Sequence, residues 1–307
     1  MTVLSFASEL YRRELGEGAA VSATTKNRLT AAWYSDDPYS ISPFHAFDPD
    51  SFFVYSAFYD SLGHIDIVGK VAPSLATHWE QSSPTCWDLE LRRDVRFSDG
   101  SIFNANDVVA TFAGHFTPTP SIMGRSMLAP IQCISKLDDY RVRVETKHPD
   151  PMLMRRLSMM PIVPHRVLST TGRDSLIDTP IGTGAYRLES WEKGKGLLLS
   201  RNPEHWADRA SIDEIHLPIL RRTLWLDYLR DGKIDVALNL DSQDLEELEG
   251  SGIQVLNQAA ALARWFMLRY RGPLADSRVR QALNCAVHSP LILDVVNRGF
   301  GAAQRSV

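Results

Sequence analysis

The sequence predicts a mixed α/β fold divided into two domains, and three observations carry that prediction. The chain has 307 residues, and compact domains average about 150. Hydrophobic residues make up 44% and charged residues 23%, the composition of an ordinary globular chain with a core to bury. Strand-like and helix-like segments are intermixed without strict β-α-β alternation, and neither a fixed-period repeat nor a low-complexity tract interrupts them.

Each element has a local reason. Residues 1–26, rich in Gly, Ala, Ser and Thr, read as a loosely ordered arm with a short helix over about 5–15. They lack the basic start and the run of about 7–15 apolar residues of a secretory signal. Trp33 and Tyr34 end the first strand. Phe44, Phe47, Phe52, Phe53, Tyr55, Phe58 and Tyr59 then crowd one region, mostly as core. Pro43, Asp48, Pro49 and Asp50 break it into a loop before a helix-like run over 51–59. A loop of aromatics and acids on a strand scaffold suits a small organic solute with a cationic group.

Trp87, Leu89 and Leu91 alternate with Asp88, Glu90 and Arg92, the period of a half-buried strand, and Val142 and Val144 do the same. Asp99-Gly100 is a hairpin turn pair. Asn104 caps a helix with Asp107 in its first turn. The strand containing Leu197 and Leu199 stops at Asn202-Pro203, since proline offers no donor. Ile212, Ile215, Leu217 and Ile219 mark another strand. A short helix over 224–230 stops at Asp231-Gly232, and Ile234 to Leu240 and Arg264 to Arg269 read as strands. Asp276 caps a helix with Val279, Leu283, Ala286 and Val287 on one face, and Ser289 caps a further turn opened by Pro290.

Several functions find no support. Lys and Arg number 33 against 37 Asp and Glu, a net charge of −4, so nothing offers a basic footprint for nucleic acid. The apolar runs fall far below the roughly 18 residues of a membrane span. Cys86, Cys133 and Cys285 are too few for a disulfide framework or zinc knuckle, although one disulfide remains open. The nine histidines include no H-E-x-x-H pair and no i, i+4 pair, so no metal site is expected. With no nucleophile elbow, Walker loop or dinucleotide fingerprint, neither catalytic residues nor a cofactor are expected. Gly182-Thr183-Gly184 reads as a tight bend where two segments approach, because no helix start follows to cradle phosphate.

Seven segments in order resemble one family, the extracytoplasmic solute-binding proteins of ABC importers that serve peptides, dipeptides and nickel. They are Val71–Glu80 (VAPSLATHWE), Trp87–Gly100 (WDLELRRDVRFSDG), Phe103–Val109 (FNANDVV), Pro180–Tyr186 (PIGTGAY), Arg201–Trp206 (RNPEHW), Gly232–Val236 (GKIDV) and Asp276–Leu283 (DSRVRQAL). Ala185 stands where the family pattern has proline, and His205 where it has tyrosine. The resemblance implies a type II periplasmic-binding-protein-like fold: two lobes around a solute, with an extra subdomain in the first. Lobe 1 would comprise 27–58 and 169–263, its subdomain 59–168, and the hinge crossing and start of a truncated lobe 2 would comprise 264–307.

The resemblance also implies ligand contacts. Phe47, Asp48 and Pro49 match a loop that offers backbone to a peptide. Asn239, Leu240 and Asp241 match a segment lining a side-chain pocket, and Trp265 and Phe266 look like hinge aromatics. Met123 and Arg125 lie in a subdomain loop that reaches the cleft, Arg125 suiting a ligand carboxylate. The expected function is non-catalytic capture of a peptide or similar small solute for ABC permease subunits, outside the cytoplasm. The alternative is a cytoplasmic solute-sensing domain of a transcription regulator, favoured by the absent signal and the unpaired thiol.

Overall fold

The computed structural model describes residues 27–33, 36–46, 48–66, 69–116, 122–207, 210–255 and 268–298. The expected arm over 1–26 and residues 264–267 of the expected crossing strand lie outside them. In chain order the elements begin with β1 (Arg28–Ala32), α1 (Pro49–Tyr55), β2 (Gly63–Ile65), β3 (Val71–Pro73), β4 (Ala76–Ser83) and β5 (Cys86–Leu91). Next come α2 (Ala105–His115), α3 (Ile122–Leu128), β6 (Ile131–Asp138), β7 (Arg141–Thr146), α4 (Leu153–Leu157) and α5 (His165–Thr170). Then follow β8 (Tyr186–Glu192), β9 (Gly196–Arg201), β10 (Glu214–Pro218), α6 (Trp225–Arg230) and β11 (Val236–Ala237). The last three are α7 (Ser242–Leu248), α8 (Ser277–Ala286) and α9 (Ser289–Asn297). The chain divides into two compact units, a larger one of Met1–Arg222 with Ile234–Val236, and a smaller one of Thr223–Lys233 with Ala237–Val307.

The larger unit contains two main sheets. One has the order β11-β1-β10-β9-β8, with Val236 of β11 at its edge. β1 and β10 are parallel, with Leu29 opposite Ile215, a pairing that a long crossover permits and a tight turn does not. The hairpin β8–β9 sets Leu188 opposite Leu199 and turns at Gly194, whose φ of 76° suits a residue without a Cβ. The other sheet is antiparallel with the order β4-β5-β7-β6. Its inner face carries Leu89, Leu91, Val142 and Val144, all buried. Its outer face carries the bidentate Asp88–Arg143 pair, both contacts at 2.7 Å, and that guanidinium holds the Asp88 carboxyl below the usual carboxylate range. This is the alternation read from Trp87 to Arg92.

The inner face packs on α2 and α4 around Phe97, Phe103, Phe112, Ile131 and Leu157. Asn104 and Asp107 start α2 with a complete capping box. In its last turn His115 is buried, and desolvation pushes its ring down to about 4.

Some boundaries differ from expectation. β1 ends at Ala32, before Trp33. The aromatic helix begins at Pro49 and ends at Tyr55, because Ala57 and Phe58 turn back to donate to Val54 and Tyr55. The strand expected over 234–240 shrinks to Val236–Ala237, since Asn239 adopts φ 55° and ends the extension. α9 is capped by His288 rather than Ser289, with Nδ1 accepting the Leu291 N–H at 3.1 Å.

In the smaller unit α6 stops at Gly232, with φ 65°, as expected. Asp276 caps α8. Leu283, Val287, Leu291, Ile292, Val295 and Val296 of the last two helices and their link are exposed, Val295 by 66%.

Candidate functional site

The expected ligand contacts fall into two groups. Asp48, Pro49, Met123 and Arg125 belong to the larger unit, and Asn239, Leu240 and Asp241 to the smaller. Phe47, Trp265 and Phe266 lie outside the described residues. Asp48 is the N-cap of α1: Oδ1 accepts the Ser51 N–H at 2.8 Å and Oδ2 the Ser51 hydroxyl at 2.7 Å. Its carboxylate is thereby committed to the helix start, which satisfies donors otherwise left unpaired. Pro49 opens the helix, where a missing N–H costs nothing. Met123 sits on α3, and Arg125, in its last turn, is exposed and forms no ion pair among the described residues.

Asp241 has the same duty as Asp48. It caps α7 by accepting from Gln243 N at 2.9 Å and Asp244 N at 3.1 Å, while Asp244 Oδ2 accepts the Asp241 N–H at 2.8 Å. Asn239 is exposed and left-handed, and Leu240 is half-buried. Two acids that the sequence offers as solute contacts are therefore helix caps, and their backbone carbonyls also start those helices, accepting Phe52 N and Leu245 N at 3.2 Å each.

The aromatic stretch is scaffold. Phe44, Tyr55, Phe58 and Tyr59 are buried, and Trp33 stacks on Phe53 with centroids 5.3 Å apart. The loop over 36–46 is strapped at both ends. Asp37 accepts the Trp191 indole N–H at 2.9 Å and the Gly194 N–H at 2.6 Å. His45 bridges Ser42 Oγ at 3.1 Å and Asp174 Oδ1 at 3.2 Å.

The sequence reading misses a second acid. Asp60 Oδ2 accepts the Thr183 hydroxyl and the Trp206 indole N–H, both at 2.9 Å, with His205 Nε2 3.9 Å away. Desolvation raises its carboxyl above the usual range, against the pull of His205, Trp206 and Thr183. Thr183 and the His205-Trp206 pair come from two of the recognised segments, so these converge on one carboxylate. Gly182 and Gly184 make the convergence possible: a Cβ on Gly182 would stand 2.2 Å from the Phe58 carbonyl oxygen, and one on Gly184 2.5 Å from that of Ala57. The expectation of a tight bend holds. Arg92 lies over the Trp206 ring at 4.2 Å, and Ser98 N donates to Gly182 O at 2.8 Å. The seam joins the four-stranded sheet's loops to the five-stranded sheet.

Among the described residues no three His, Cys, Asp or Glu side chains are grouped to hold a metal ion, and no helix is long and apolar enough to cross a membrane. A five-stranded mixed sheet carrying an antiparallel four-stranded insertion has the architecture of two-lobed periplasmic binding proteins. NikZ from Campylobacter jejuni, solved with Ni(L-His), superposes with a TM-score of 0.83 at 24% identity, over 91% of this chain and 57% of that one. DppA from Helicobacter pylori, solved with the peptide STSA, gives 0.81 at 23% identity, over 90% and 59%.

The chain belongs to the family described as "Bacterial extracellular solute-binding proteins, family 5 Middle", whose sequence model matches residues 70–307. Among curated relatives, the periplasmic oligopeptide-binding protein OppA of Salmonella typhimurium is 24% identical over 262 residues, covering 76% of this chain and 48% of OppA. Di/tripeptide-binding protein 2 of Pseudomonas aeruginosa is 25% identical over 253 residues, 74% of this chain and 48% of that protein. The chain spans about half the length of these curated relatives.

Proposed function

We propose that this protein is the solute-capturing component of an ABC importer, working outside the cytoplasm and holding a peptide or similar small solute for permease subunits. The observation that carries this reading is family membership over residues 70–307, supported by relatives named for periplasmic and peptide binding. Those names favour capture over the cytoplasmic sensor. No covalent step is involved: solute contacts on two lobes shift an open–closed equilibrium toward closed.

In this reading 27–58 with 169–263 form the first lobe, 59–168 its subdomain, and 264–307 the crossing into the second. Phe47, Asp48 and Pro49 offer backbone, Met123 and Arg125 reach in from the subdomain, Asn239 to Asp241 line a pocket, and Trp265 and Phe266 mark the hinge. In this reading the exposed apolar side chains of α8 and α9 belong to the second lobe. The test is uptake in the native host. Deleting the gene is expected to abolish uptake of one labelled class among dipeptides, tripeptides, oligopeptides and nickel–histidine. Unchanged uptake of all four would overturn the proposal.

A further inference from the structure

On the hairpin β8–β9 the larger unit carries a solvent-open groove of about 450 Å³, lined by Asp178, Pro180, Leu188, Glu189, Trp191 and Lys193 among others. Trp191 is among its lining residues, and that indole is fixed. Asp37 takes the indole N–H at 2.9 Å and, through its second oxygen, the Gly194 N–H at 2.6 Å. Pinning the ring by its polar edge leaves a π face available, the negative region of the quadrupole that attracts cations.

A cation is already there. Lys193 Nζ lies 2.9 Å from the Trp191 centroid and 3.3 Å from Asp178 Oδ1. Glu189 supplies a second carboxylate, which accepts the Ser200 hydroxyl. Two carboxylates and one ring against a single tethered ammonium leave the groove short of positive charge. Lys193 is itself 58% exposed on a flexible stem, so water can take its ammonium when it leaves.

We propose that this groove is a binding site for small aliphatic ammonium compounds, in which Lys193 is the resident competitor and an incoming ammonium takes its place between Trp191 and Asp178. The site shares no residue with the proposed solute contacts, so its test does not depend on the solute-capture reading. Its selectivity is for charge on a compact apolar shell: Pro180 and Leu188 offer apolar wall, and the carboxylates exclude anions.

The probe is tetramethylammonium chloride, titrated at constant ionic strength while the Trp191 indole N–H resonance is followed by NMR, the peak being assigned with Trp191→Phe. The expected result is a saturable shift. Lys193→Ala, an exposed change that leaves the Asp37 anchor in place, should lower the midpoint about threefold by removing the competitor, and Asp178→Asn with Glu189→Gln should raise it about threefold. tert-Butanol, of similar shape and no charge, should give no saturable shift. A shift that stays linear in salt, an equal response to tert-butanol, or a midpoint unmoved by Lys193→Ala would overturn the proposal.

Discussion

Replacing Gly184 with alanine tests the seam at which the recognised segments meet. The added Cβ would stand 2.5 Å from Ala57 O, 2.5 Å from Phe58 C and 2.8 Å from Phe58 O, all backbone atoms that no rotamer change can move. Ordinary contact begins near about 3.5 Å, so the two segments must part by roughly 1 Å. That opening strains Gly184 N–H to Phe58 O at 2.9 Å and Tyr186 N–H to Ala57 O at 3.0 Å. Losing both bonds costs about 2 kcal/mol, and residual overpacking adds about 1–2 kcal/mol. The stiffer unfolded chain returns about 0.5 kcal/mol, leaving a net loss near 3 kcal/mol. Gly69→Ala is the control: φ is 81° with nothing within 4 Å of its Cβ, so only the left-handed conformation is charged, at about 1 kcal/mol. Urea unfolding followed by tryptophan fluorescence measures both. A Gly184→Ala loss no larger than that of Gly69→Ala would refute the close-approach argument.

Burial raises the Asp60 carboxyl, so the native state holds that proton more tightly than the unfolded state, and its contribution is lost as pH rises through the raised value. Asp60→Asn should therefore gain on wild type in urea midpoint as pH rises above the ordinary carboxylate value of about 4, and the opposite trend contradicts the burial argument. Phe97 is fully buried and meets Phe103 edge-on at 6.2 Å; Phe97→Ala should cost about 4 kcal/mol in the same assay, and a loss below about 1.5 kcal/mol would mean the site collapses around the gap. Asp276 accepts the Arg278 N–H at 2.9 Å, so Asp276→Ala should cost α8 about 1 kcal/mol, seen as faster hydrogen exchange at the start of α8; unchanged exchange would show the cap to be idle.

Elements decided within a few residues were legible in advance. Asn104 with Asp107 caps α2, Asp276 caps α8, and Asp231-Gly232 stops α6, each by hydrogen bonds or dihedrals local to the chain. Alternation from Trp87 to Arg92 set the buried face of β5 because a strand's side chains alternate by geometry. Long-range partners were not legible. Nothing near Asp60 announces Thr183, 123 residues away, and nothing near Asp37 announces Trp191, 154 residues away. Asp48 and Asp241 did carry a signal for capping, since each precedes a helical run, and weighing that signal first would have assigned their carboxylates to the helices. Of the candidate site, the positions came from resemblance, and the structure assigns firm side-chain roles to those two acids.

The central claim is capture without chemistry, and calorimetry addresses it most directly. Dipeptides, tripeptides, oligopeptides and nickel–histidine titrated into the protein purified from its native host should give saturable one-to-one heat for at least one member, with that solute recovered intact afterwards. No saturable heat from any of the four, or recovery of a cleaved solute, would contradict the account.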